Sequence, residues 1–189
     1  QCSLMYELHR LVNEHRRKLG LKIVKPNVIL ADVAQRHSCF MALTEKAAHS
    51  NTDKREFPEA DKKLTDHVIR AGYQYRALGE NVAAGQKSAK EVMNGWLKSV
   101  KHKDVMERYF FQNLGIGLAS NLETGIMFWT QIFATPRGDG IGGDGAPNQH
   151  ESTTNVVGRY DTCHLTGLVV NDGDDDDDKN TIKKMKNEK

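Results

Sequence analysis

The chain has 189 residues, enough for one well-buried domain and too few for two large ones. Its 27 lysines and arginines are nearly balanced by 25 aspartates and glutamates, which argues against a protein whose main task is to grip nucleic acid. No run approaches the roughly 20 apolar residues that a transmembrane helix needs. A start at Gln1 is expected where a signal peptide has been removed, and equally where a longer chain has been trimmed.

The first half of the chain has the periodicity of helices. Apolar residues at helical spacing predict helices over 3–19, after Asn27 and over 64–72. A Ser-x-x-Glu sequence that starts at Ser88 is the pattern of a reciprocal capping box and predicts a fourth helix.

Two segments of alternating residues come next and predict strands. Large and small residues alternate over 114–119, and a second alternation over 126–133 follows a hairpin-like connection. Because helices come first and an antiparallel pair follows, without regular βαβ alternation, the order favours an α+β fold over a doubly wound sheet.

The composition changes after the predicted hairpin. We assign residues 1–136 to one domain and residues 137–154 to a glycine-rich linker. Residues 155–171 regain apolar side chains and are expected to pack on the domain as a short extension. Residues 172–189 form a charged tail that is expected to be disordered, and they include a DDDDK sequence that is also used as an engineered protease site.

Three cysteines, Cys2, Cys39 and Cys163, permit at most one intrachain disulfide and form no CxxC motif. Cys39 falls about 180° from the apolar face of the second helix at 3.6 residues per turn. A disulfide or a covering tail explains that position better than helix packing does. Either Cys39 or Cys2 could tie Cys163 to the helical layer, and we favour Cys39–Cys163.

Several sequence segments occur in a fixed order between residues 3 and 134: His49-Ser50, Arg70-Ala71-Gly72-Tyr73, Gly79-Glu80-Asn81-Val82-Ala83, the W-x-x-S-x-x-H segment from Trp96 to His102, and the strand-like pair 113–119 and 128–133. Together they resemble the CAP superfamily of cysteine-rich secretory proteins, antigen 5 and pathogenesis-related 1 proteins, in its bacterial or fungal-type branch. The resemblance implies a three-layer α-β-α sandwich (the CAP/SCP fold) with a small antiparallel sheet between helical layers. It also implies a secreted, extracellular protein.

The resemblance also implies a cleft that often binds a divalent cation, zinc or magnesium, through two histidines and up to two acids. By position the histidines are His49 and His102, and one acid is Glu80. Neutral imidazoles are good zinc ligands, and two of them leave positions open for water or substrate. Glu80 could orient a histidine or act as a base on bound water. The alternative is a polar network that only holds helices to sheet.

The position of the second family acid falls on Ser99, which weakens any metal site that needs two carboxylates. Glu91 or Asp104 could compensate. The remaining histidines show no ligand-like pairing and are assigned no role: His9, His15, His37, His67, His150 and His164. We interpret His37, on the apolar face of the second helix, as a hydrogen-bonded core residue.

Three functions remain open at this point, because fold and function separate in such families. The first is binding of a sterol or fatty acid under a cover formed by residues 50–75, with Phe57, Tyr73 and Tyr75 as apolar lining. The second is binding of an extracellular protein partner. The third is metal-dependent hydrolysis with Glu80 as base, although the chain has no G-x-S-x-G, HExxH or P-loop motif.

Overall fold

A computed structural model describes residues 2–49 and 63–138. In these residues it has five helices and four strands: α1 (Cys2–Lys18), β1 (Lys25–Pro26), α2 (Val28–Thr44), α3 (Leu64–Arg70), β2 (Tyr75–Ala84), α4 (Ala89–Lys98), α5 (Val100–Glu107), β3 (Asn113–Ser120) and β4 (Met127–Pro136). Phe57, Cys163, the side chain of Cys2, the extension and the charged tail lie outside the described residues.

The strands form one sheet in the order β1-β3-β4-β2. β3 and β2 both pair antiparallel with β4, which makes β4 central. The two-residue strand β1 adds a parallel pair to β3, so the sheet is mixed rather than purely antiparallel. Gly79-Glu80-Asn81, called the GEN segment below, lies in the edge strand β2, although its sequence showed no strand-like alternation.

Helices cover both faces of the sheet, and the predicted three-layer α-β-α sandwich is confirmed. α2 packs against β3 and β4 on one face, while α1, α4 and α5 pack together on the other. The larger core cluster lies on the α1–α4–α5 side and includes Leu8, Trp96, Phe111, Trp129 and Phe133, each at most 2% exposed. Smaller clusters, around Leu30 and Met41, fill the α2 side.

The predicted helix starts are confirmed, with one difference in capping. Asn27 Oδ1 accepts hydrogen bonds from the backbone of Ile29 and Leu30 at the start of α2. Ser88 Oγ accepts from the Glu91 N–H (3.2 Å), but the Glu91 carboxylate accepts from the Lys87 N–H instead of that of Ser88. The N-terminus of α4 is therefore capped, although the box is shifted by one residue.

The W-x-x-S-x-x-H segment bends where a continuous helix would have placed Ser99 one turn before His102. Ser99 is extended (φ −96°, ψ 117°), so α4 ends before it and α5 begins after it. The bend places Trp96 in the larger core cluster and starts a new helix that carries His102. Ser99 and His102 are thus not partners within one regular helix.

Candidate functional site

Glu80 of β2 and His49, five residues after α2, form the centre of the site. The Glu80 side chain is 6% exposed, and its Oε2 lies 3.0 Å from His49 Nδ1. An ionised carboxylate can only accept, so the imidazole donates through Nδ1. The hydrogen bond to Glu80 raises the pKa of His49, opposed by desolvation and helped by Coulomb attraction to Glu80. The opposite nitrogen, Nε2, belongs to a ring that is 62% exposed and is the one left for a ligand.

His102 is the second histidine that the family resemblance implied, and the structure places it near the first. It lies in the first turn of α5. Desolvation lowers the pKa of His102, and the nearby His49 charge lowers it further. The pKa of His49 is thus shifted upward and that of His102 downward, so the His102 imidazole loses its proton at the lower pH and is the more readily available of the two for a cation.

Asn81 explains how β2 holds His102 in place. The Asn81 side chain is fully buried, and its Nδ2 donates to the backbone oxygen of His102 (3.1 Å) and to Gln131 Oε1 (3.3 Å). Side chains of successive strand residues point to opposite faces, so Glu80 reaches the segment after α2 while Asn81 reaches α5. The consecutive Glu-Asn of the GEN segment thus fixes one histidine from each helical layer.

His37 also belongs to this cluster, although its position in the sequence indicated no role in a site. Its Nε2–H donates to the carbonyl of Ala48 (2.8 Å), directly before His49, and lies 3.7 Å from Glu80 Oε1. The ring is 11% exposed, as expected for the hydrogen-bonded core residue that the pattern predicted. Its proximity to Glu80 depends on how α2 crosses the sheet, and the periodicity of α2 alone does not contain that information.

The described residues fit a cation only in part. Within residues 2–49 and 63–138, no group of three or more His, Cys, Asp or Glu side chains is arranged to hold a metal ion. Glu80 Oε1 is nevertheless buried without a hydrogen-bond partner among these residues, which is costly unless something else satisfies it. A cation here would have two imidazole ligands, with water completing its coordination.

Glu91 and Asp104, the candidates to replace the acid that is missing at Ser99, both have other partners. The Glu91 carboxylate caps α4 through Lys87, and Asp104 pairs with the guanidinium of Arg108 (2.8 Å). Ser99, where the family places the acid, is partly buried at the bend between α4 and α5. Of Glu80, Glu91, Ser99 and Asp104, only Glu80 therefore supplies a carboxylate to the cleft.

The tyrosines proposed to line a lipid site lie in different environments. Tyr73 is 4% exposed, and its hydroxyl donates to Asn113 Oδ1 (2.7 Å). Burial raises the pKa of Tyr73 to about 12. Tyr75 lines a cavity of about 320 Å³ with Ile69, Gln74, Arg76 and Arg137. Lipid binding by these tyrosines stays a prediction, and Tyr73 is packed as a core residue.

Cys39 lies on α2 away from its apolar face, a position that the sequence pattern explained by a disulfide or a covering tail. It is partly buried and packs against the small cluster of Met41, Val82 and Phe128. Its pairing with Cys163 stays a prediction, because Cys163 and the Cys2 side chain lie outside the described residues. Among the described helices, none is both long and apolar enough to cross a bilayer.

A mixed sheet between two helical layers, with a histidine–carboxylate cleft at its edge strand, defines a sandwich domain of the SCP type. The chain belongs to the cysteine-rich secretory protein (CAP) family, whose model matches residues 9–133. It is 29% identical over 123 residues to YkwD of Bacillus subtilis (strain 168), covering 65% of this chain and 44% of that protein. The chain therefore spans less than half the length of the curated relative it matches.

Solved structures show the same fold. An extracellular protein containing an SCP domain from Bacillus anthracis superposes with a TM-score of 0.63 at 25% identity, covering 71% of this chain and 41% of that one. An outer surface protein from Borrelia burgdorferi also gives a TM-score of 0.63, at 18% identity, covering 71% of this chain and 94% of that one. The bacterial-type branch that the sequence motifs indicated is thereby supported.

We expect the cleft histidines to titrate on opposite sides of the usual value of 6.5. Because the folded pKa of His49 is raised, its stabilising effect is present below 6.5 and is lost as pH rises through that folded pKa. The lowered pKa of His102 acts in the opposite sense, destabilising the fold as pH falls below 6.5. Imidazole Cε1–H shifts followed by NMR from pH 4 to 9 would measure both values.

Glu80→Gln provides the matched control for this titration. It should lower the pKa of His49 by removing the anionic acceptor, whereas His49→Ala should raise the pKa of His102 by removing the neighbouring charge. If the pKa of His49 were the same in the Glu80→Gln variant as in the wild type, the hydrogen bond to Glu80 would not be the cause of its shift.

Proposed function

We propose that this chain is an extracellular CAP domain that binds a divalent cation through His49 and His102. The observation that carries the proposal is the hydrogen bond that His49 Nδ1–H donates to the buried Glu80 carboxylate, since it fixes the tautomer in which Nε2 is the ligand nitrogen. Ligand histidines in metalloproteins characteristically donate from their second nitrogen to such a carboxylate.

The donor set favours zinc over magnesium. Imidazole nitrogen suits zinc, whereas magnesium prefers oxygen ligands and retains its water. When bound, zinc would supply a Lewis-acid centre with positions open for water or a ligand. The protein would orient the two ligand histidines. Glu80 accepts a hydrogen bond from His49, and Asn81 donates one to the backbone oxygen of His102. His37 donates to the carbonyl of Ala48, directly before His49.

A binding role is better supported than a hydrolytic one. Glu80, the candidate base, is 6% exposed and already accepts a hydrogen bond from His49. A general base must reach the water it deprotonates. This geometry supports Glu80 as a residue that orients His49. The extracellular location is supported by the description of the Bacillus anthracis relative as an extracellular protein.

Zinc titration of the intact, chelator-treated protein by isothermal calorimetry tests the proposal. We expect His49→Ala and His102→Ala each to abolish the zinc transition that the wild type shows near neutral pH. Glu80→Gln keeps both ligands but loses the carboxylate, and it should weaken affinity by about 10- to 100-fold. Binding should also weaken as the solution is acidified below the usual histidine pKa, because protons compete for the imidazoles.

His15→Ala is the matched control, because His15 also pairs with a carboxylate, Glu107 (2.8 Å), but lies on α1. It should bind zinc like the wild type. An identical loss in His15→Ala, or unchanged zinc affinity in both His49→Ala and His102→Ala, would overturn the assignment. Circular dichroism of each variant establishes that the fold is intact.

A further inference from the structure

A second concave site lies at the end of the sheet where β2 begins and β4 ends. It is a cavity of about 320 Å³ lined by Ile69, Gln74, Tyr75, Arg76 and Arg137. This volume is at the lower end of the range of roughly 300–1,000 Å³ that is usual for small-molecule sites. Backbone pairing joins the strand ends that line the cavity: the Arg137 N–H donates to Gln74 O (3.0 Å), and Tyr75 pairs with Pro136.

Arg76 reaches this cavity because the strand carries an irregularity there. Tyr75 pairs with Pro136 and Ala77 pairs with Thr135, so Arg76 has no opposing residue on β4. Such bulges change the direction of a side chain relative to a regular strand and are common next to binding sites. The extra residue in β2 thus brings one arginine to the cavity that Arg137 already lines.

The charge of the cavity is unbalanced. Arg76 and Arg137 are both exposed, and neither forms a salt bridge with a residue that the structure describes. Three other exposed arginines each pair with a carboxylate four residues away: Arg10, Arg36 and Arg108. No acidic side chain of the described ranges lines the cavity, so the two guanidinium groups have no anionic partner within those ranges.

The remaining lining suits a ligand with an anionic end and an organic body. The Gln74 amide and the Tyr75 hydroxyl can donate further hydrogen bonds, while Ile69 and the Tyr75 ring offer an apolar wall. Guanidinium groups bind planar or tetrahedral oxyanions through paired N–H donors, which a lysine cannot reproduce.

We propose that this cavity binds a phosphate or sulfate monoester, with Arg76 and Arg137 on the oxyanion. The site lies apart from the histidine cleft and does not depend on the cation proposed there. A monoester of this kind could be a soluble sugar derivative or the headgroup of an anionic lipid, and both present the same oxyanion to the two arginines.

The test uses the intact protein and defined probes at low salt. Glucose 6-phosphate, glucose 6-sulfate and uncharged glucose are titrated while amide shifts are followed by ¹H–¹⁵N NMR. We expect the two esters, but not glucose, to shift amides of residues 74–76 and 137. Arg76→Gln and Arg137→Gln should each weaken ester binding by about 10-fold or more. Arg76→Lys should also weaken it, since the charge is kept but the fork is lost.

Arg17→Gln on α1 is the matched control, because Arg17 is also exposed and its replacement makes the same change in net charge. Flotation with vesicles of phosphatidylcholine, with and without phosphatidic acid, separates the two sources. Arginine-dependent vesicle binding without sugar-ester binding would assign a lipid headgroup, and the reverse would assign a soluble ester. The proposal is overturned if neither probe binds, or if Arg17→Gln weakens binding as much as Arg76→Gln.

Discussion

Replacing Gly117 by alanine is expected to destabilise the domain by about 3 kcal/mol, at the upper end of the usual cost of overpacking. A Cβ at this position would overlap the backbone carbonyl of Ala34 and the nitrogen of Gln35 in α2, well inside van der Waals contact. Since these are backbone atoms, no side-chain rotation can relieve the clash. α2 would have to move away from β3. Urea unfolding followed by circular dichroism measures the loss.

Gly95→Ala in α4 is the control, because it makes the same substitution but is expected to raise the stability of the domain. Its Cβ would meet no atom within 4 Å, and alanine favours a helix interior by roughly 0.5–1 kcal/mol relative to glycine. The close approach of β3 to α2 would be contradicted if both substitutions changed stability by the same amount.

The second large effect is expected at Arg16, whose replacement by methionine should cost about 3 kcal/mol. The Arg16 side chain is fully buried in α1 and donates to the carbonyl oxygens of Lys22, Met106, Arg108 and Phe111. It thus joins the loop after α1 to the end of α5 and the turn beyond it. Desolvation lowers the pKa of Arg16, so its charge is tolerated only because these carbonyls solvate it.

Arg17→Met is the control for Arg16, since it changes the same charge on the adjacent, exposed residue. It should alter stability by no more than about 0.5 kcal/mol. Thermal unfolding of the two variants at equal ionic strength compares them directly, and equal losses would show that the carbonyl contacts of Arg16 contribute little.

Much of the fold could be predicted because its helices and the β3–β4 hairpin carry strong periodic signals. The alternation of Leu114, Ile116 and Leu118 with small residues predicted β3. It did not predict that helix α2 packs closely on the glycine face, because alternation defines a face but not what packs on it. β2 gave no such pattern, since most of this edge strand is only half buried.

The site was predicted from sequence motifs, so only residues that belong to a motif could be assigned to it. His49, Glu80 and His102 could be placed by the family resemblance, and the structure brings them to one edge of the sheet. His37 and Arg16 could not be placed, because their roles depend on contacts with β2 and α5 that are remote in sequence. The partial burial of Cys39 could not be predicted for the same reason, because it depends on contacts with Val82 and Phe128.

We propose that the histidine cleft holds a cation between His49 and His102. Anomalous diffraction from a zinc-soaked crystal of the intact chain, recorded on both sides of the zinc absorption edge, tests it most directly. We expect a zinc peak about 2.0–2.1 Å from His49 Nε2 and from a ring nitrogen of His102, with Glu80 still bound to His49 Nδ1. A cleft without a peak, in crystals that bind zinc elsewhere, would contradict it.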